Sequence, residues 1–119
     1  MRVEKEKELM DIFPDMFSSS RFRFDCEDGW FNILYDLIGQ LRQISFDYGC
    51  DITASQIKEK FGALRVYIDP LDSECSDLVH ETIEEAEALS AKTCEMCGKP
   101  GLVNYSNSFI RCLCGSCRK

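Results

Sequence analysis

The sequence predicts an α+β fold: two main helices packed on a small antiparallel sheet, followed by a cysteine-rich β-hairpin module. Three observations predict it. Apolar residues recur at three- and four-residue steps through residues 30–44 and again through 75–90, the spacing of one buried helix face. Ala63-Leu64-Arg65-Val66-Tyr67-Ile68 alternates and is rich in β-formers, as a half-buried strand requires. Two Cys-x-x-Cys pairs stand in the last 26 residues.

The elements follow in order. Residues 2–10 read as a short charged helix, stopped at Phe13-Pro14 because proline disfavours helix in the residue before it. Ser18-Ser19-Ser20 is a loop, and Arg21-Phe22-Arg23-Phe24-Asp25 alternates as a short strand would. Asp28 is the expected N-cap of the first main helix. Its stripe is Trp30, Ile33, Leu34, Leu37, Ile38, Leu41 and Ile44, and Tyr48-Gly49 ends it. Residues 52–61 have two readings. As a helix, Thr53 and Gln56 form a capping box; as a strand, 52–57 pairs with 63–68 across a Lys-Glu-Lys-Phe-Gly turn. The hairpin is preferred, with Lys58 and Lys60 as solvated turn residues or, alternatively, as contacts for an anion. The second main helix spans about Ser73 to Ala91, capped by Ser73. Cys75, Leu78, Val79, Thr82, Ile83, Ala86 and Leu89 or Ser90 face inward, and Glu81, Glu84, Glu85 and Glu87 face water. Residues 1–27 are then an N-terminal extension, 28–91 the α+β core, and 92–119 the cysteine module, an appendix to that core.

Composition narrows the function. The chain has 119 residues and a net charge of −7, which discourages a general phosphate-binding role. The charge is uneven: residues 1–91 hold nine Lys/Arg and 20 Asp/Glu, a balance of −11, and residues 92–119 carry +4. The acidic body is read as a solubility device or as a face for a basic partner. The N-terminal residues alternate in charge without an apolar signal segment, and no apolar run reaches the roughly 18 residues of a membrane span. A reducing, cytoplasmic setting is expected.

In that setting clustered cysteines bind metal more often than they pair. Cys94-Glu95-Met96-Cys97 and Cys114-Gly115-Ser116-Cys117 are separated by sixteen residues. Each two-residue turn aims two sulfurs at one ion, and two turns complete a tetrahedral Zn²⁺ shell with Zn–S of about 2.3 Å. The stretch between them reads as a ribbon, Leu102–Tyr105 and Phe109–Leu113 joined through Ser106-Asn107-Ser108. Cys112, one residue from Cys114, is a competing ligand. Cys94, Cys97, Cys114 and Cys117 are preferred, because a Cys-x-Cys step holds two sulfurs less naturally around one ion. The alternative is a pair of reducible disulfides. Four sulfur ligands close the shell, so the expected ion is single and structural.

Catalytic material is sparse. His80 is the lone histidine, beside a polar helix face, and no Gly-x-Ser-x-Gly turn, P-loop or dinucleotide glycine fingerprint occurs. An enzyme is not expected, and a small hydrolase would need an open metal position.

The segments Asp28-Gly29-Trp30-Phe31, Gln56-Ile57-Lys58-Glu59-Lys60-Phe61-Gly62-Ala63-Leu64-Arg65-Val66-Tyr67, Thr93-Cys94-Glu95-Met96-Cys97-Gly98-Lys99-Pro100-Gly101 and Leu113-Cys114…Cys117 together resemble a family of small uncharacterised proteins of bacteriophages, prophages and bacteria. The resemblance covers roughly residues 28–117. It implies a Cys or His at the last metal position and usually no Cys where Cys112 stands. It brings no activity, only a phage-linked setting in the bacterial cytoplasm. The leading expectation is a zinc protein that works by protein–protein interaction, as a modulator or inhibitor of a host or anti-phage system. The second is a nucleic-acid accessory steered by Lys92, Lys99, Arg111, Arg118 and Lys119 on the ribbon.

Overall fold

The stripe read from residues 30–44 forms the centre of the molecule. In the computed structural model, which describes residues 1–72, 74–104 and 110–118, helix α2 (Phe31–Tyr48) buries Ile33, Leu34, Leu37, Ile38, Leu41 and Ile44. Trp30, just before it, is fully buried. α2 packs against α1 (Val3–Ile12) on one side and α3 (Ser76–Ser90) on the other, and α3 packs on the sheet. The expected cap at Ser73, the turn at Ser106-Asn107-Ser108, the flanking Tyr105 and Phe109, and the cation Lys119 lie outside the described residues.

The α+β class holds, with two differences in the sheet. Strands β1 (Phe24–Asp25), β2 (Ala54–Lys60) and β3 (Ala63–Ile68) lie in the order β1-β2-β3, with β2–β3 antiparallel but β1–β2 parallel. A parallel pair needs a crossover connection, and α2 supplies it. The hairpin reading of 52–68 is the observed one, but Lys58 and Lys60 are strand residues and the turn is only Phe61-Gly62. Both turn residues have positive φ, 54° and 85°, the twist that two-residue hairpins favour. The ribbon forms a second sheet, β4 (Leu102–Asn104) antiparallel to β5 (Arg111–Leu113).

Both edges of the three-stranded sheet are covered by helix side chains, which prevents edge pairing. On β3, Leu64 N–H donates to Ser90 Oγ (2.8 Å) and Val66 N–H to Glu87 Oε2 (2.9 Å). On β1, Phe24 N–H donates to the buried Glu6 Oε2 (2.7 Å), and Arg23 completes that carboxylate's partners at 3.0 Å. Residues 1–27 share the common core through Leu9, Phe13, Met16, Phe17 and Phe24.

Asp28 does not cap α2. A short 3-10 turn over Asp28–Trp30 leads into the helix, which has no side-chain cap. Asp28 instead accepts from Arg2 N–H at Oδ1 (3.0 Å) and from Arg2 Nε at Oδ2 (2.6 Å), which ties the start of α1 to the entrance of α2. In α3, Val79, Thr82, Ile83 and Ser90 are buried, and Leu78 and Leu89 are exposed.

Candidate metal centre

The first Cys-x-x-Cys pair is held by a backbone knuckle over residues 92–101. Cys94 N–H donates to Lys99 O (2.7 Å), Gly98 N–H to Cys94 O (2.9 Å) and Gly101 N–H to Lys92 O (2.9 Å). Gly98 takes φ 82°, a left-handed turn that costs a side-chain-bearing residue about 1–2 kcal/mol. The second pair sits in a turn closed by Arg118 N–H to Cys114 O (3.2 Å). The β4–β5 register, Leu102↔Leu113 through Asn104↔Arg111, brings that turn back beside the knuckle.

The result is a four-sulfur cluster. The Sγ atoms of Cys94, Cys97, Cys114 and Cys117 all lie within 4.8 Å of one another, and Cys97 Sγ and Cys114 Sγ are 3.6 Å apart. A tetrahedral zinc with 2.3 Å bonds sets its sulfurs about 3.8 Å apart, whereas a disulfide would need about 2.05 Å. All eight cysteines are free thiols. The cluster can therefore hold a metal ion. Cys94 and Cys114 are buried, Cys117 is half-buried and Cys97 is exposed.

The thiols divide into two kinds. Burial pushes Cys94 up, but the backbone N–H groups of Cys114, Cys97 and Met96, with the Cys97 side chain, outweigh it and hold Cys94 at about 6. Cys114 is also lowered, chiefly by the Cys117 backbone N–H. Cys117 is pushed up to about 12 by its hydrogen bonds to Cys114 and Cys94. Cys97 is raised as well: the Lys99 backbone N–H lowers it, but burial and the Cys114 and Cys94 side chains prevail. The surroundings thus shift Cys94 and Cys114 toward thiolate and Cys97 and Cys117 toward thiol, and a bound dication would require all four to give up their protons.

Cys112 is not in the cluster. It points into the main core, fully buried, with its Sγ donating to Ala91 O (3.3 Å). The alternating ribbon places residues 112 and 114 on the same side, but the chain leaves the strand at Leu113 and turns Cys114 toward the knuckle.

The cysteine module is joined to the body more closely than an appendix. Trp30 Nε1 donates to Thr93 O (2.9 Å), Gly29 N–H to Glu95 O (2.6 Å) and Glu27 N–H to Glu95 Oε2 (3.0 Å). Gly29 makes the approach possible. A Cβ there would fall 2.2 Å from Cys94 O and 2.3 Å from Glu95 O. Glu95 is buried between the knuckle and the body, with Oε1 3.5 Å from Arg111 Nη2 and without a hydrogen bond. Burial raises its carboxyl, against the opposing pull of the Glu27 N–H and Arg111. Neither Gly29 nor Glu95 was marked by periodicity. Both stand in the segments that carry the family resemblance, Asp28-Gly29-Trp30-Phe31 and Thr93-Cys94-Glu95-Met96-Cys97, but nothing in either segment marks the contact between them.

Comparison of the chain with protein-family models, curated proteins and solved structures finds no match in any of the three. Fold and site therefore define an α+β protein with a four-cysteine cluster able to hold a metal ion. Among the described residues, no helix is long and apolar enough to cross a membrane.

Proposed function

We propose that Cys94, Cys97, Cys114 and Cys117 bind one structural Zn²⁺, and that the protein acts without catalysis by docking onto another protein. The observation that carries the zinc reading is the closed set of four sulfurs within 4.8 Å, a donor set that favours zinc and leaves no coordination position for a reacting water. The docking reading is supported by α2, which turns Tyr35 (50% exposed) and Phe46 (82% exposed) to the same side, eleven residues apart, with Gly39 between them. Exposed aromatics of this kind are the usual anchors of protein interfaces. The resemblance to phage and bacterial proteins adds a setting, in which the partner is a host or anti-phage component of the bacterial cytoplasm.

The ribbon's cations are a weaker route to nucleic acid. Arg111 is turned toward Glu95 and the Met96 sulfur, and Arg118 donates to Leu102 O.

Elemental analysis of protein purified without added zinc tests the metal reading. About one equivalent is expected, lost in Cys97→Ser and kept in Cys112→Ala. A metal-free, folded wild-type protein under reducing conditions refutes it. For docking, a partner retained by wild type and lost by the Tyr35→Ala/Phe46→Ala variant supports the reading; equal retention by both refutes the assigned face.

A further inference from the structure

We propose that the outer face of the β1-β2-β3 sheet binds single-stranded nucleic acid, with Lys58, Lys60 and Arg65 on backbone phosphates and Tyr67 as a stacking platform for a base. This site shares no residue with the cysteine cluster and does not depend on the function proposed above.

The strand period places these side chains together. Ile57, Leu64 and Val66 point into the core, so residues two apart from their neighbours, Lys58, Lys60, Arg65 and Tyr67, point outward. The register sets Lys58 directly opposite Arg65 on one side and Asp25 on the other, and Tyr67 opposite Gln56. Lys58 and Lys60 stand about 7 Å apart along the strand, within reach of successive phosphates. A cleft of about 670 Å³ opens on this face, lined among others by Phe22, Gln56, Lys58, Lys60 and Tyr67.

Charge singles out this face. Residues 1–91 carry a balance of −11, yet three of their nine Lys/Arg gather here. Asp25 is the one acidic residue among those lining the cleft. Among the described residues Lys58, Lys60 and Arg65 have no ion-pair partner, although Arg65 Nη1 donates to Leu64 O (3.1 Å), whereas Arg2, Arg23 and Arg111 each have one. The acids of α3 lie elsewhere: Glu87 is drawn to the β3 edge, and Glu81, Glu84 and Glu85 are on the far helix.

The aromatics select the ligand. Tyr67 is 42% exposed and Phe61 63%. Phe61 holds a left-handed backbone at the hairpin tip (φ 54°), its ring 5.6 Å from Lys60 Nζ. Cations interleaved with exposed rings on a sheet are what unstacked bases and their phosphates need; a duplex offers the rings nothing to stack on.

Fluorescence anisotropy with a labelled dT20 oligonucleotide and the full-length protein tests the proposal. Three phosphate contacts predict a log–log salt slope of about −2, so affinity should fall about 15- to 20-fold from 50 to 200 mM salt. Lys58→Gln/Lys60→Gln should weaken binding at least tenfold and flatten the slope to about −0.7. Tyr67→Ala should weaken it about 5- to 100-fold and leave the slope unchanged. The wild-type slope and a competition with poly-glutamate need no variant to fold. No anisotropy change at micromolar protein in 50 mM salt overturns the proposal. So does preference for duplex, or displacement by poly-glutamate as readily as by unlabelled dT20, which would make this a face for an acidic protein.

Discussion

Two glycines ten residues apart should respond to alanine in opposite directions. At Gly29 the added Cβ would lie 2.2–2.4 Å from the Cys94 carbonyl oxygen and the Glu95 carbonyl. Those atoms are backbone and cannot swing aside, so the knuckle must retreat from α2. Retreat stretches the 2.6 Å Gly29 N–H···O Glu95 bond and loosens the Trp30–Thr93 bond. Overpacking costs about 1–3 kcal/mol, and each lost hydrogen bond about 1 kcal/mol, so Gly29→Ala should destabilise by about 2–4 kcal/mol. At Gly39, in the middle of α2, the same methyl meets nothing within 4 Å. There the helix gains propensity and the unfolded chain loses freedom, for about 0.5–1 kcal/mol of stabilisation. Urea unfolding of the zinc-loaded protein with a fixed m-value measures both. Gly29→Ala should also release metal to a chelator faster, because Cys94 moves with its carbonyl. A Gly29→Ala protein within 0.5 kcal/mol of wild type, releasing metal at the wild-type rate, would refute the close approach. If Gly39→Ala were equally damaging, steric contact would not be the cause of either effect.

Three other expectations follow from single contacts. Phe61→Asn should stabilise by about 1 kcal/mol, since asparagine tolerates the left-handed turn position that phenylalanine occupies at a cost; thermal unfolding reads it, and a lower melting point contradicts it. Ser90→Ala should cost about 1–3 kcal/mol by leaving the buried Leu64 N–H unpaired. Hydrogen exchange should then show faster loss of protection at Leu64, and unchanged exchange would sink the edge-cover argument. Burial nudges Asp28 upward, but the Arg2 backbone N–H and guanidinium outweigh it and hold the carboxyl below the usual range. Its contribution is therefore present above the unfolded value and lost as pH falls through the folded one, below about pH 4. The Arg2 side chain is 67% exposed, so the effect is at most about 1 kcal/mol; Asp28→Asn should remove that part of the acid slope, and an unaltered slope would contradict it.

How much of this was legible in the sequence depends on where each cause lies. The α2 stripe was readable because every third or fourth residue from Trp30 to Ile44 is apolar, and that periodicity is itself the cause of burial. The four-cysteine cluster was readable because two-residue spacing between cysteines dictates local turn geometry. Cys112, set apart on the same ground, lies outside the cluster and in the core. What failed did so where the cause is distant. Asp28 has the chemistry of an N-cap, but Arg2, 26 residues earlier, takes both its oxygens. The parallel β1–β2 pair escaped notice because two residues of strand leave almost no pattern. Lys58 and Lys60 look like turn residues by composition, and only the two-residue Phe61-Gly62 turn makes them strand. The lowered Cys94 thiol, held by the Cys114 N–H, and the buried Glu95 arise from the meeting of two segments, and neither segment alone encodes them.

The position of Glu95 bears on what an ion held by the four cysteines would do for the rest of the molecule. A carboxylate buried between two layers is a poor source of net stability, because its desolvation offsets most of what Arg111 and the Glu27 N–H return. Its value is geometric: only one docking of the knuckle supplies both partners. The same holds for Trp30 Nε1, which finds Thr93 O only when residues 92–101 are folded. An ion that closes the knuckle would therefore hold in place the partners of the entrance to α2, the central helix of the core. That argues for one cooperative unit in which the ribbon, the helix entrance and α1, through Arg2 and Asp28, are set together. Binding energy of about 10–16 kcal/mol, typical of structural zinc in peptides, would then be spent largely on ordering the module and fixing this junction, and the exposed aromatic and basic faces would be presented by a rigid body rather than by two hinged parts.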